Sequence, residues 1–401
     1  MRLTLALVAF VALPLLAQCA EPRVVGYYTE WSVYDRKFDV SAIPAAKLTH
    51  FNYAFAKIVN GECALFDSYA AIDKAYPGDT WEPGALRGNF KQLQLLKKKH
   101  PHLKTLISVG GWTLSGPFSD LATTDAGRKK FAKSCVAFMT KYGFDGVDID
   151  WEYPVGGGLE TNKTRPEDKA NYTLLLAELR GQLDARGQLD KRVYLLTIAA
   201  PAGPKTFANL ELDKVHKHLD WLNLMTYDFH GGWSAHTNFN APLFASKLDP
   251  TKDEVIRTKF NVSAAVEAYL AAGVPADKLV MGVPFYGRGW TVPKAGADGL
   301  FQPPAKQLPR GTWENGVFDY KDIGANYLGK RGQRFWHDEA KVPWLYDEKT
   351  GLVISYDDPE SMKLKGAFAR AKKLGGAMIW ELNGDDAKNT LLDALRAGLT
   401  K

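Results

Sequence analysis

The chain has 401 residues, 46% of them hydrophobic and 24% charged, with a net charge of +6 at neutral pH. That composition belongs to an ordinary globular protein and excludes a disordered chain, a collagenous repeat or a disulfide scaffold. The basic excess is spread out, with Lys97, Lys98 and Lys99 as a short run; the run marks a solvated helix end and gives no support for nucleic-acid binding.

The opening segment, MRLTLALVAFVALPLLAQCA, has one Arg, an apolar stretch broken by Pro14, and then small residues. This layout predicts a secretory signal peptide over 1–20, cut near Cys19 or Ala20, and a secreted, extracellular product. Pro14 and the short apolar run argue against a spanning anchor, and no later segment is long and apolar enough to cross a bilayer. Gln18 ahead of Cys19 is a poor fit to a lipoprotein box.

Downstream, strand and helix patterns alternate. The predicted strands are Arg23 to Tyr28, Leu48 to Phe55, Lys104 to Val109, Phe144 to Trp151, Val193 to Ala199, Trp221 to Thr226, Leu279 to Phe285 and Ala377 to Trp380. Most are short apolar runs of the kind buried on both faces of a parallel sheet. The helices between them carry start and stop signals. One begins with Asp358 as cap and Pro359 in its first turn, and runs to Gly375; another ends at Gly273 with Pro275 beyond. The pattern predicts an α/β fold, a (β/α)8 TIM barrel with its functional residues at the C-terminal ends of the strands. An open doubly wound sheet is the alternative, but no Gly-rich phosphate fingerprint supports it.

Between strand 7 and strand 8 the chain is much longer than one crossover helix needs. Trp290 to Val353 holds Trp313, Tyr320, Tyr327, Trp336, Trp344 and Tyr346 among Gly and Pro punctuation, which reads as a small strand-rich insertion. The predicted organisation is a signal peptide over 1–20, a barrel made of 21–290 and 354–401, and an insertion over 291–353. No repeated module and no linker to an appended binding domain is visible.

The most informative stretch is FDGVDIDWEYP, Phe144 to Pro154. Side chains alternate faces along a strand, so Asp148, Asp150 and Glu152 share one face while Val147, Ile149 and Trp151 share the other. In a barrel the acidic face is the interior, where three carboxylates cannot all ionise cheaply. At least one keeps or shares a proton near neutral pH. Glu152 lies at the strand end, where a carboxyl with a raised pKa suits a general acid. Asp145 falls on the opposite face and reads as structural, or as an outer support of the row. Cys135 recurs with Phe131, Phe138 and Tyr142 at helical spacing and reads as core; a bond from Cys63 to Cys135 is left open. Sequons occur at Asn162, Asn171 and Asn261.

The motif DGVDIDWEYP resembles the D-x-x-D-x-D-x-E signature of the glycoside hydrolase family 18 chitinases. The resemblance extends over nearly all of the chain after the signal: SVGGW (Ser108 to Trp112) on strand 3, LMTYD (Leu224 to Asp228) on strand 6, MGVPFYGRGW (Met281 to Trp290) on strand 7, and Trp380 on strand 8. The stretch 291–353 resembles the α+β insertion of the deep-cleft subgroup. What the resemblance implies is a chitinase that uses its substrate's own N-acetyl group as nucleophile. Glu152 is then the acid, Asp150 shares a proton with Asp148 and turns to hold the acetamido N–H, and Tyr227 donates to the acetamido oxygen. Trp380 floors the cleaved sugar's subsite, Trp112 and Trp233 line the leaving-group side, and Tyr286 and Arg288 hydrogen-bond the sugar. Tyr27, Tyr153, Met225 and Asp228 complete the implied substrate-binding set. Chitin and chitooligosaccharides are the implied partners of a monomer, with no metal, no organic cofactor and no obligate protein partner. A lectin relative lacks the acid, whereas an endo-β-N-acetylglucosaminidase acting on N-glycans shares the catalytic motif. The insertion and the two leaving-side tryptophans also imply a deep cleft with processive action.

Overall fold

The structure is a computed structural model, and it describes residues 21–293 and 298–400. The expected signal segment over 1–20 lies outside the described residues. Among the described residues, eight parallel strands close a barrel: β1 (Arg23–Thr29), β2 (His50–Val59), β4 (Lys104–Gly110), β5 (Gly146–Asp150), β6 (Leu195–Pro201), β7 (Trp221–Met225), β8 (Leu279–Pro284) and β14 (Gly376–Trp380). Closure comes from β1, which pairs with β14 on one side and β2 on the other. β3 (Glu62–Leu65) adds an antiparallel hairpin strand to β2. Every predicted barrel strand is present.

The alternation rule holds where it matters. Val147, Ile149 and Trp151 face outward and are buried against the helical layer. Trp151 stacks on Phe118, in the helix Phe118–Ala122, with ring centroids 5.3 Å apart, and meets Tyr172, in the helix Asp168–Asp190, edge-on at 5.2 Å. The expected caps are also seen. Asp358 accepts from the Glu360 and Ser361 amides and Pro359 opens the helix Pro359–Ala371, while Asn261 caps the helix Val262–Ala271. Such caps contribute about 1 kcal/mol each.

A second sheet of five antiparallel strands rises after β8, in the order β10 (Val317–Asp319), β9 (Tyr286–Thr291), β13 (Leu352–Ser355), β12 (Val342–Asp347) and β11 (Gln333–His337). It takes in residues on both sides of 291–353. The physical reason is that β8 ends at Pro284 and the next strand starts at Tyr286, so the chain passes from barrel to insertion with one residue between. Tyr286, Arg288 and Trp290 therefore belong to the second sheet. Its two faces bury Phe239, Val292, Trp344 and Tyr346 on one side and Phe318, Leu345, Ile354 and Tyr356 on the other. Cys63 and Cys135 are both free.

Candidate active site

The register of the parallel strands builds the centre of the site. Asp148 on β5 lies opposite Ser108 on β4 and Thr197 on β6. Both hydroxyls donate to it, Ser108 to Oδ2 at 2.7 Å and Thr197 to Oδ1 at 2.5 Å. Tyr27 Oη from β1 donates to Oδ2 at 2.7 Å, and Asn223 Nδ2 from β7 reaches Oδ1 at 3.4 Å. Burial pushes the Asp148 carboxyl up, and these donors pull it back toward the ionised form. Asp150, one pleat nearer the strand end, is buried, and its Oδ1 has no hydrogen-bond partner. Burial raises its pKa well above the usual range, and the charges of Glu152 and Asp148 raise it further. Its burial, its unpartnered oxygen and the neighbouring charges all favour a proton on Asp150.

Glu152 lies beyond the last strand residue and is half-buried. Burial pushes its carboxyl up to about 7; a hydrogen bond from Tyr153 lowers it and the charge of Asp228 raises it. A proton held near neutral pH at a cleft surface is what a general acid requires. Tyr227 projects from the end of β7. Its hydroxyl meets the Met378 sulfur at 3.9 Å, a weak acceptor that leaves it able to donate to a substrate. Its own ionisation is suppressed by burial and by the carboxylates of Asp150, Asp228 and Glu152.

Trp380 ends β14 half-buried. Its ring rests on Phe55 at 5.9 Å and on Tyr27 at 5.5 Å, and Met225 packs in the same cluster. Tyr27 is placed differently from the sugar contact expected of it. It is 1% exposed and its hydroxyl is engaged by Asp148, so it supports Trp380 and the acid row from below. Asp228 adopts the left-handed backbone conformation with φ 55°. Its carboxylate accepts from Tyr286 Oη at 2.6 Å, from Arg288 Nε at 2.9 Å and from an Arg288 terminal nitrogen at 2.8 Å. This bidentate pair latches the second sheet onto the end of β7. The Arg288 guanidinium also lies 5.2 Å from the Trp233 ring. Trp233 and Trp112 are exposed, at 63% and 46%, and Trp112 meets Tyr153 edge-on at 6.5 Å. The other expected residues stand at the C-terminal ends of the strands or beyond them, except Asp148, which like Tyr27 lies two residues before its strand ends.

The chain matches the family model of glycosyl hydrolases family 18 over residues 23–385. It belongs to that family. Chitinase A1 of Niallia circulans is 46% identical, aligned over 98% of this chain and 60% of its own length. Endochitinase 1 of Metarhizium robertsii is 40% identical over 90% of this chain and 80% of its own. The chain thus spans about three fifths of the first of these relatives. Among solved structures, chitinase ChiA74 from Bacillus thuringiensis superposes with a TM-score of 0.88 at 43% identity, covering 94% of this chain and 70% of that one. The Ostrinia furnacalis Group IV chitinase, solved in complex with allosamidin, gives 0.83 at 32% identity, covering 94% and 99%.

Against this family 18 frame, several functional neighbours were not visible in sequence. Thr197, Asn223 and Ser115 are single polar residues inside apolar strands or loops, and nothing local marks their partners. Glu381 follows Trp380 and accepts from Thr29 at 2.5 Å and from Arg36, which also lies 5.4 Å from the Trp313 ring. Asp145 is a support of the row's outer side. It is ion-paired with Lys97 at 2.6 Å and with Arg192, and accepts from the Thr105 amide at 2.8 Å. Burial raises its pKa, but these cations and the amide bring it below the usual value. Two of the sequon asparagines are engaged: Asn261 as a buried helix cap, and Asn162 through a bond to the Glu152 carbonyl.

Proposed function

We propose that this family 18 protein is a secreted, monomeric chitinase that hydrolyses β-1,4 bonds between N-acetylglucosamine units with retention of configuration. The observation that carries the reading is the row of buried Asp148, buried Asp150 with a carboxyl oxygen that has no hydrogen-bond partner, and half-buried Glu152 at the C-terminal end of β5, in a barrel whose β14 ends at the half-buried Trp380. The Glu152 carboxyl protonates the glycosidic oxygen as the C–O bond breaks. The substrate's acetamido oxygen attacks the anomeric carbon and forms an oxazolinium ion. Asp150 turns to hold the acetamido N–H and offsets the positive charge, while Tyr227 aligns the acetamido oxygen. The Glu152 carboxylate then takes a proton from water, which opens the ring on the same face. No step calls on a metal or an organic cofactor. The names of the relatives support chitin as substrate, and one structural neighbour that carries the name chitinase was solved in complex with allosamidin.

The test pairs chitin oligomers with a high-mannose glycoprotein. Cleavage of the oligomers with the β-anomer as first product, inhibition by a thiazoline analogue, and no reaction after a glucosamine unit are expected. Release of N-glycan without oligomer cleavage would assign an endo-β-N-acetylglucosaminidase instead. Binding without cleavage would assign a lectin.

A further inference from the structure

The strand that carries the acid row stops before the acid. β5 pairs with β4 as far as Gly110↔Asp150 and with β6 only as far as Ile149↔Ile198. Glu152 therefore lies past the ladder, where its backbone N–H and C=O have no neighbouring strand to bond. Backbone polar groups in such a place need other partners. A side chain hung from such a segment is placed only as well as the segment itself is held.

Two side chains take the place of the ladder. Ser115 Oγ accepts from the Glu152 amide at 2.8 Å, and lies 2.8 Å from the Gly111 carbonyl and 3.1 Å from the Asp150 carbonyl. A hydroxyl has one donor and two acceptor sites, so it donates to one of these carbonyls while it accepts from the amide. Asn162 Nδ2 donates to the Glu152 carbonyl at 3.1 Å. The Gly111 amide closes the set with a bond to the Asp150 carbonyl at 2.7 Å. Packing is equally tight. A Cβ at Gly110 would lie 2.2 Å from the Asp150 carbonyl oxygen, and one at Gly158 would lie 2.0 Å from that of Glu152.

We propose that Ser115 and Asn162 are positioning residues for the general acid: they clamp the Glu152 residue at its amide and its carbonyl, and Ser115 ties that clamp to the loop bearing Trp112. The chemistry gives the arrangement a purpose. Protonation of the leaving oxygen needs the acid and the leaving-group platform in fixed relation, and a displacement of ~1 Å can cost ~100-fold. Ser115 is 1% exposed and touches both loops, whereas Asn162 is half-buried on the loop that follows the acid. The inference rests on the reading of Glu152 as the acid.

The experiment measures kcat/KM, which reports the bond-breaking step, on two substrates for Ser115→Ala, Ser115→Thr, Asn162→Ala and Glu152→Gln. One substrate is chitotetraose, whose sugar leaving group needs protonation. The other is a dinitrophenyl chitobioside, whose leaving group does not. Ser115→Ala and Asn162→Ala should lose on the order of 10-fold to 100-fold on chitotetraose. Their loss on the dinitrophenyl substrate should be small, and Ser115→Thr, which keeps the hydroxyl, should recover most of the activity. Equal losses on both substrates would make the two residues mere loop supports and overturn the proposal, as would no loss on either. Should Ser115→Ala fail to fold, Asn162→Ala decides alone. Glu152→Gln separates the two readings: if it retains chitotetraose cleavage, the acid is misassigned, and if it is inactive while both clamp variants are normal, only the clamp is wrong.

Discussion

Glu152 owes its proton to its surroundings, and those surroundings can be edited one residue at a time. Burial is the largest cause of its rise to about 7, and the Asp228 carboxylate adds to it. The acid must be protonated to act, so activity should fall as pH rises through about 7. Asp228→Asn removes a negative charge that favours the proton, and the alkaline limb of the kcat/KM profile should move to lower pH. Arg288→Ala leaves Asp228 without its cation and should move the same limb upward. Shifts in the same direction for both variants would show that the limb belongs to another group. Glu152→Gln should cost at least ~100-fold in kcat on chitin oligomers while binding persists. The same titration bears on stability, and in the same direction with pH. A carboxyl whose folded pKa is raised stabilises the fold below its unfolded value, and that contribution is lost as pH rises through the folded value. The Tm of Glu152→Gln relative to wild type should therefore be more favourable at pH 8 than at pH 4, and scanning calorimetry at the two pH values checks it.

At the scale of elements, the loop that follows the acid joins catalysis to a possible modification. Asn162 heads the sequon Asn162-Lys163-Thr164, and its amide nitrogen is the atom that bonds the Glu152 carbonyl. A glycan attached there replaces an amide hydrogen and crowds the contact. In a glycosylating host, molecules carrying a glycan on Asn162 should be several-fold less active than those without one. Thr164→Ala, which removes the sequon and keeps Asn162, should restore them. Mass spectrometry of the two fractions beside their kcat provides the measurement, and equal activity in both would break the link. The same loop shows where sequence reading stops. The strands were legible because each is an apolar run of the right length, and the acid row because its spacing of two is visible locally. Ser115 and Asn162 were not, since their partner lies 37 and 10 residues away and the bonds go to backbone atoms that any residue would present. Thr197 and Asn223 were hidden by sequence distance: they act on the Asp148 carboxylate from β6, the neighbouring strand, and from β7, one strand further, at separations of 49 and 75 residues. Tyr27 was expected at the sugar only as part of the set that the family resemblance implies. The structure places its hydroxyl on Asp148, with the ring buried.

At the scale of the whole molecule, the proposed function gives the second sheet and the exposed tryptophans a part in choosing the size of substrate. The sheet enters after β8 and returns before β14, so it stands at the catalytic end of the barrel. The Asp228–Arg288 pair fastens it there, and Arg288 reaches from the second sheet to Trp233. Trp112 and Trp233 are exposed, at 46% and 63%, and in the proposed reading they line the leaving-group side. Aromatic stacking tolerates sliding better than directed hydrogen bonds do, so a polymer can advance along such a surface beside a wall without leaving it. An insoluble chain is costly to recapture after each cut, whereas a soluble one is not. Trp112→Ala should therefore lower activity on crystalline chitin several-fold while sparing, or raising, activity on soluble chitosan. A bound chain advances by two sugars at a time, because alternate units face the catalytic row with the same side. Early products from a partly acetylated chitosan should then be mainly even-numbered in the wild type, with odd and even lengths approaching equality in Trp112→Ala. An equal mixture from the wild type itself would leave the second sheet a passive wall and remove processive action from the reading.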